Sequence, residues 1–353
     1  MMMKLLNEEN IVFHDTFDHE DDQYTDFEER FDPLKSDRQA RRKRKPKAKH
    51  EPKKTQTIQR DEIADLQGLE GGFRTTYTPG LFEGGWLLDS LRQFYDQNLI
   101  TDVLARVRGG KEANVYRCAA HPQTGQTLLA AKVYRPRMFR QIRDDGLYRE
   151  GRAVLDGGGR EVRARDWRLR KALESRSDLG VQAAQTSWLM YEYTALTTLH
   201  KAGAAVPQPF AISPNALLIG YIGDDAAAAP ALSDVALDAS EARPLRDATL
   251  HTIEIMLAHD MIHGDLSPYN ILYWDGAITV IDFPQVVALR GNRQAEALLR
   301  RDITRVCEYF SAHGAPCDAG REFTRLWKRY NPYTRREIEA EMSRYDVEDD
   351  DDD

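Results

Sequence analysis

Apolar positions along the chain recur with two periods. Trp86, Leu87, Leu91, Phe94 and Tyr95 fall at helical spacing and predict an amphipathic helix over 85–98. Leu99 and Ile100 then lead into a predicted strand over 103–107. The apolar run 128–134 predicts another strand, with a single lysine, Lys132, inside it. From 188 to 201, Leu189, Tyr193, Leu196 and Leu199 line one helical face, and the spacing puts Glu192 on that same face. After the Val206-Pro207-Gln208-Pro209 break, 216–223 reads as a buried strand running to a hinge, and 224–230 as a small-residue linker. Leu250, Ile253 and Leu257 mark a helix, 277–281 a buried strand ending in Asp282. Leu299, Ile303, Val306 and Phe310 mark a further helix, and 323–330 one more. No internal repeat is present.

Charge adds segments that the apolar pattern omits. Residues 1–34 hold eleven acids against Lys4 and Arg30, and 35–54 hold eleven Lys/Arg against Asp37 and Glu51. Such blocks cannot bury enough surface to offset the entropy of ordering, so 1–55 is expected to be a disordered acidic and basic tail. Residues 56–84 read as a linker or partly ordered segment, and 346–353 as an acidic tail. The stretch 135–178, with thirteen Lys/Arg, eight acids and Gly157-Gly158-Gly159, is longer than an ordinary loop. It reads equally as a solvated insertion or as an element binding RNA or substrate. Three cysteines without CxxC spacing predict a reducing compartment and no disulfide. No apolar run has the length of a membrane helix and the N-terminus lacks an apolar signal core, so a cytoplasmic protein without membrane attachment is expected.

The candidate chemistry centres on His263-Gly264-Asp265-Leu266-Ser267-Pro268-Tyr269-Asn270. Asp265 is a carboxylate on a tight turn, suited to accept a proton from an attacking hydroxyl or to orient a water. Asn270 offers a neutral oxygen to a metal. Phosphoryl transfer needs this kind of placement and little covalent chemistry from the protein. Asp282 at a strand end completes a hard-cation site, since magnesium takes a few protein oxygens and otherwise phosphates and waters. Upstream, Gly109-Gly110 between two strand-like runs allow a tight turn with backbone close to phosphate. Lys132 is costly in an apolar strand unless paired, and Glu192 is its expected partner. His259 and His263 are four apart, but a helix should end before Gly264. A metal pair is therefore not expected, and His263 is expected to brace the loop through its ring.

Taken together these residues resemble the RIO family of atypical protein kinases. Gly110-Lys111-Glu112-Ala113-Asn114-Val115-Tyr116 resembles that family's phosphate-loop signature, 263–270 its catalytic loop, and Ile281-Asp282-Phe283-Pro284-Gln285 its metal motif. Trp188, Glu192, Ala202-Gly203, Val206-Pro207 and Arg301-Asp302-Ile303 fit the same pattern. The resemblance spans roughly 85–312 and is to the subfamily without a clear winged helix. It implies an α+β, two-lobed protein-kinase-like fold, with an antiparallel-sheet N-lobe over 85–222 and a mainly helical C-lobe over 223–345. It implies ATP and magnesium, with manganese as an alternative, held by Gly110, Lys111, Glu112, Ala113, Asn114, Val115 and Lys132, by backbone at Gly220 and Ile222, and by Asn270 and Asp282 at the metal. It also implies serine phosphorylation, of a protein or of itself, or ATPase turnover, with Asp282 as an acceptor of phosphate in some members. Pro268 stands where an acid is common and Gly220 where Glu is frequent, which bears on substrate choice and adenine contacts. About twenty residues separate Asp282 from the helix containing Asp302, too few for an ordinary activation segment.

Two other readings stand beside this one. A small-molecule phosphotransferase of the aminoglycoside or choline kinase type shares the HGDLxxxNIL pattern, but the phosphate loop and the short C-lobe argue against it. A nucleotide-gated RNA-binding or ribosome-assembly factor would use the basic segments 35–54 and 135–178.

Overall fold

The computed structural model describes residues 75–80, 83–110, 113–134 and 178–331, with isolated positions at 155, 166, 171 and 175. The expected charged tails, most of the 56–84 linker and nearly all of the 135–178 insertion lie outside the described residues. The described part has the expected α+β arrangement of an antiparallel sheet followed by helices.

Helix α1 (Gly84–Asp96) precedes β1 (Ile100–Gly109), β2 (Ala113–Ala120) and β3 (Leu128–Tyr134). Helix α2 (Asp178–Lys201), β4 (Pro209–Ile212) and β5 (Ala216–Gly220) follow. The sheet order is β1-β2-β3-β5-β4, and every neighbouring pair is antiparallel. Helix α1 ends earlier than predicted because Asn98 adopts φ +56° and turns the chain into a strand longer than 103–107. Helix α2 begins well before Trp188; its first turns carry Ala and Gln without an apolar stripe, so periodicity is silent there.

Strand alternation sorts the sheet into two faces. Tyr116 and Cys118 of β2 lie opposite Ala131 and Leu129 of β3. These four pack with Leu87, Leu91 and Phe94 of α1 into one core cluster. Burying each of those α1 side chains contributes about 1.5–3 kcal/mol, enough to fix the helix across the sheet. The opposite face presents Val115 beside Lys132 and Arg117 beside Ala130.

Strand β5 stops at Gly220, short of the predicted 223. At Gly223 φ is +134°, and a Cβ there would meet the Ala227 carbonyl at 2.4 Å. The chain doubles back through Asp224, whose carboxylate accepts the Ala226 and Ala227 N–H groups.

Helix α3 (Ala239–Ala258) opens with a capping box between Asp238 and Glu241 and ends before His263, as predicted. Two-stranded ribbons pair β6 (Met261–Ile262) with β9 (Val287–Ala288) and β7 (Ile271–Trp274) with β8 (Ala277–Val280). Helices α4 (Ala295–Ala312) and α5 (Ala319–Tyr330) complete the described chain. Ile253, Leu257, Ile271, Phe283, Ile303 and Phe310 meet in the larger core cluster, which reaches back to Leu196 and Leu217.

One expectation is overturned. Cys307 and Cys317 form a disulfide, with Cα atoms 4.8 Å apart. The chain leaves α4 through Gly314 at φ +76° and brings residue 317 back beside the helix, a tertiary return that cysteine spacing does not reveal. Cys118 is free and buried, and burial pushes its thiol up to about 12. Among the described residues no helix is long and apolar enough to cross a membrane.

Candidate active site

Lys132 projects from β3 on the face away from α1 and meets two carboxylates. Its Nζ donates to Glu192 Oε1 at 2.8 Å and to Asp282 Oδ1 at 2.5 Å. The lysine side chain is 13% exposed and that of Glu192 only 2%, so the pair is well shielded from water. Desolvation pulls the ammonium down, but Asp282 and Glu192 outweigh it and hold it well above the usual lysine value. Tyr134, two residues on, donates its hydroxyl to the other Glu192 oxygen. Its ring packs edge-on to Trp188 at 4.8 Å. The expected Lys132–Glu192 pair is therefore present, with Asp282 as an unforeseen third member. Desolvation raises the Asp282 carboxyl, and the adjacent ammonium more than reverses this, leaving it below the ordinary value.

The loop 263–270 runs from β6 to β7. Asp265 N–H donates to His263 Nδ1 at 3.3 Å, and His263 Nε2 lies 3.0 Å from the Ile281 carbonyl. One tautomer, protonated at Nε2, satisfies both contacts. His263 thus braces the loop against the segment after β8 that carries Asp282, and its ring packs on the buried Phe283 at 4.9 Å. Asn270 Nδ2 donates to the Asp265 carbonyl at 2.9 Å, which assigns the amide and turns Oδ1 the other way. Ile281 N–H donates to the Asn270 carbonyl at 2.9 Å, so Asn270 and Asp282 are brought alongside each other. Asp282 itself sits at φ +71°. A non-glycine residue held there costs about 1–3 kcal/mol, a strain that clusters at functional positions. One amide oxygen and one carboxylate fit magnesium with phosphates, which does not require an all-protein cage. Among the described residues no group of three or more His, Cys, Asp or Glu forms a metal cluster.

Helix α4 holds the loop from behind. Asp302 accepts the backbone N–H of Gly264 at 2.8 Å and of Leu266 at 3.1 Å. Arg301 donates to the Gly264 carbonyl. Arg305 Nη1 donates to Asp265 Oδ1 at 2.8 Å. Burial pushes the Asp302 carboxyl up, and Arg301 only partly offsets this. Sequence reading singled out Arg301-Asp302 only as part of a resemblance and missed Arg305; the period of α4 puts 302 and 305 on one face and was the available signal.

The phosphate-loop residues are partly described. Lys111 and Glu112 lie outside the described residues. Gly109 pairs with Asn114 across the β1–β2 turn, and Gly110 N–H donates to the Ala113 carbonyl at 2.9 Å. A Cβ on Gly110 would sit 3.0 Å from that carbonyl, so the turn is tight enough to favour glycine. Val115 lies directly across from Lys132. The Asn114 side chain is instead buried toward α1, donating to Tyr116 Oη at 3.1 Å and Glu83 Oε1 at 3.3 Å. Glu83, just before α1, also accepts from Tyr116 and from Tyr77, the latter at 2.9 Å. Desolvation raises the Glu83 carboxyl, and the two tyrosine hydroxyls carry it below its usual value. At the hinge, Gly220 N–H donates to the Gln208 carbonyl at 2.8 Å and the Ile222 carbonyl accepts from Ala229 at 3.0 Å. Arg117 reaches from β2 to the Asp225 carbonyl at 2.6 Å, tying the sheet to the segment after the hinge.

The RIO domain family model matches residues 159–322. A RIO-type serine/threonine-protein kinase Rio1 of Thermoplasma acidophilum is 34% identical over 131 residues, 37% of this chain and 67% of that one. Serine/threonine-protein kinase RIO1 of Chaetomium thermophilum is 29% identical over 62% of this chain and 41% of its own. Rio1 of Haloferax volcanii is 29% identical over 59% of this chain and 63% of its own. The match thus spans less than two thirds of two of these three relatives. Among solved structures, the Rio2 kinase of Chaetomium thermophilum gives a TM-score of 0.44 at 18% identity, over 76% of this chain and 79% of that one, a likeness too slight to rest an argument on. The identity to the Thermoplasma relative across two thirds of its length places this chain in the RIO family.

Proposed function

We propose that this chain is an ATP- and magnesium-dependent serine/threonine protein kinase, passing the γ-phosphoryl group to a protein serine, itself included, or to water. The observation that carries the reading is the junction of Lys132, Glu192 and Asp282 beside a loop that orients Asp265 and Asn270. In this reading Lys132 exchanges part of its contact with Asp282 for ATP phosphates, and Glu192 keeps it aimed. Gly110, Ala113 and Val115, with Lys111 and Glu112, cover the phosphates, and the backbone near Gly220 and Ile222 borders adenine. Asn270 and Asp282 hold magnesium, or manganese in its place. Asp265 takes the proton from the attacking oxygen, a role that contributes about 10²–10⁴ in rate and little to nucleotide affinity.

The reading extends to Asp282 as a transient phosphate acceptor: a carboxylate oxygen attacks the γ-phosphorus, the bond to the β–γ bridging oxygen breaks, and ADP leaves. Basic segments 35–54 and 135–178 are the proposed contacts for RNA or a ribosomal subunit, and the cytoplasm, which supplies ATP and magnesium, is the proposed compartment.

The test is turnover of γ-labelled ATP by the full chain, with and without RNA. Asp265→Ala should lose transfer while keeping nucleotide affinity; wild-type turnover would sink the assignment. Phosphate on Asp282 should be hydroxylamine-labile and absent in Asp282→Asn. Label found only on serine in both proteins would remove the acceptor role.

A further inference from the structure

Helix α4 touches three consecutive loop residues with one face. Arg301 and Asp302 take the backbone of Gly264 and Leu266, and one turn later Arg305 takes the side chain of Asp265. The first two contacts fix where the loop runs. The third acts on the carboxylate that the proposed reaction uses. We infer that Arg305 is a positioning residue for phosphoryl transfer, clamping Oδ1 of Asp265 so that Oδ2 receives the proton. This rests on the kinase reading above.

The geometry supports a clamp. The Arg305 side chain is 3% exposed and that of Asp265 12%. A buried arginine stays charged and is costly unless it meets an anion, and Asp265 is one that Arg305 meets directly. Nη1 meets Oδ1 at 2.8 Å, a charge-assisted hydrogen-bond distance that restricts rotation of the carboxylate. Oδ2 then lies on the side of Asn270, whose Nδ2 is 3.5 Å away. Asn270 Nδ2 also donates to the Asp265 carbonyl, so the loop holds this side of Asp265 while Arg305 holds the other. An aspartate free to turn would present either oxygen at varying distance, and misplacement by about 1 Å can cost about 100-fold in rate.

A merely structural ion pair would neutralise Asp265 and do nothing else, and the two roles separate in kinetics. In the full chain, Arg305→Met should lower the transfer rate at saturating ATP by about 100-fold. KM for ATP and the affinity for a fluorescent ADP analogue should stay within about twofold. Arg305→Lys keeps the cation without the planar fork and should fall between the two. In an Asp265→Asn background, Arg305→Met should cause no further loss, because the group it positions is gone. Should Arg305→Met fail to fold, Arg305→Lys decides: a wild-type rate means that charge alone suffices, and overturns the clamp. A wild-type rate in folded Arg305→Met overturns it too, and with Asp265→Asn inactive the kinase reading survives. Undiminished transfer by Asp265→Asn would instead bring down the kinase reading itself.

Discussion

Lys132 answers to two acids with different duties. Glu192 is 2% exposed and gains a second donor from Tyr134, so its position is fixed from two sides. Asp282 is 43% exposed, so its contact with the lysine can be exchanged for a metal or phosphate in the proposed reaction. The two substitutions should therefore differ. Lys132→Ala strands both acids and removes the proposed phosphate contact, and breaking a buried pair costs about 3–5 kcal/mol. Glu192→Gln leaves Lys132 with Asp282 and misaims it, a milder loss. Thermal melts and single-turnover transfer should rank Lys132→Ala well below Glu192→Gln. A Lys132→Ala/Glu192→Ala double variant should be no slower than Lys132→Ala alone, and fully additive losses would argue that the two do not act as a unit.

The β1–β2 hairpin is held near its turn by Glu83, which joins the start of α1 to Tyr116 and Asn114. Glu83→Ala should leave the buried Tyr116 hydroxyl short of an acceptor, costing about 1–3 kcal/mol in a urea melt. A looser hairpin should raise KM for ATP more than it lowers kcat; an unchanged KM would separate Glu83 from nucleotide binding. Elements of this kind show which parts of the site were legible. Lys132, Glu192 and Asp282 stood out because a polar residue interrupted an apolar period or ended a strand, and Asp265 and Asn270 because of their spacing in one loop motif. Arg305 and Glu83 did not, because their partners lie far along the chain and neither breaks a local pattern. The Cys307–Cys317 bridge was missed because it depends on the turn that the chain makes after α4. The start of α2 was missed because its first turns lack an apolar stripe. Asn114 belongs to a legible motif, yet its side chain serves the hairpin's inner face, a distinction that only register supplies.

At the scale of the molecule, the site draws on two hydrophobic clusters. Lys132 stands on the sheet that α1 backs, whereas Asn270 and Asp282 stand on segments packed into the larger cluster. The Lys132–Asp282 pair and the Arg117 contact help to link the sheet to the rest. Nucleotide alone should mainly protect β1, β2 and β3, because the β1–β2 hairpin and Lys132 are its proposed contacts there. Magnesium should extend protection to the loop 263–270 and to β7 and β8, because Asn270 and Asp282 are the proposed ligands of the ion. Hydrogen exchange with ATP in EDTA, then with magnesium restored, should show these two steps. The same comparison fixes the expected thermal shift. Ligand at 100 times its Kd stabilises by about 2.7 kcal/mol, which at about 2 °C per kcal/mol is a rise of roughly 5 °C in Tm. In Asp282→Asn the magnesium increment should shrink while the EDTA value stays near wild type. A wild-type magnesium increment in that variant, with β7 and β8 protected as before, would take Asp282 out of the metal site.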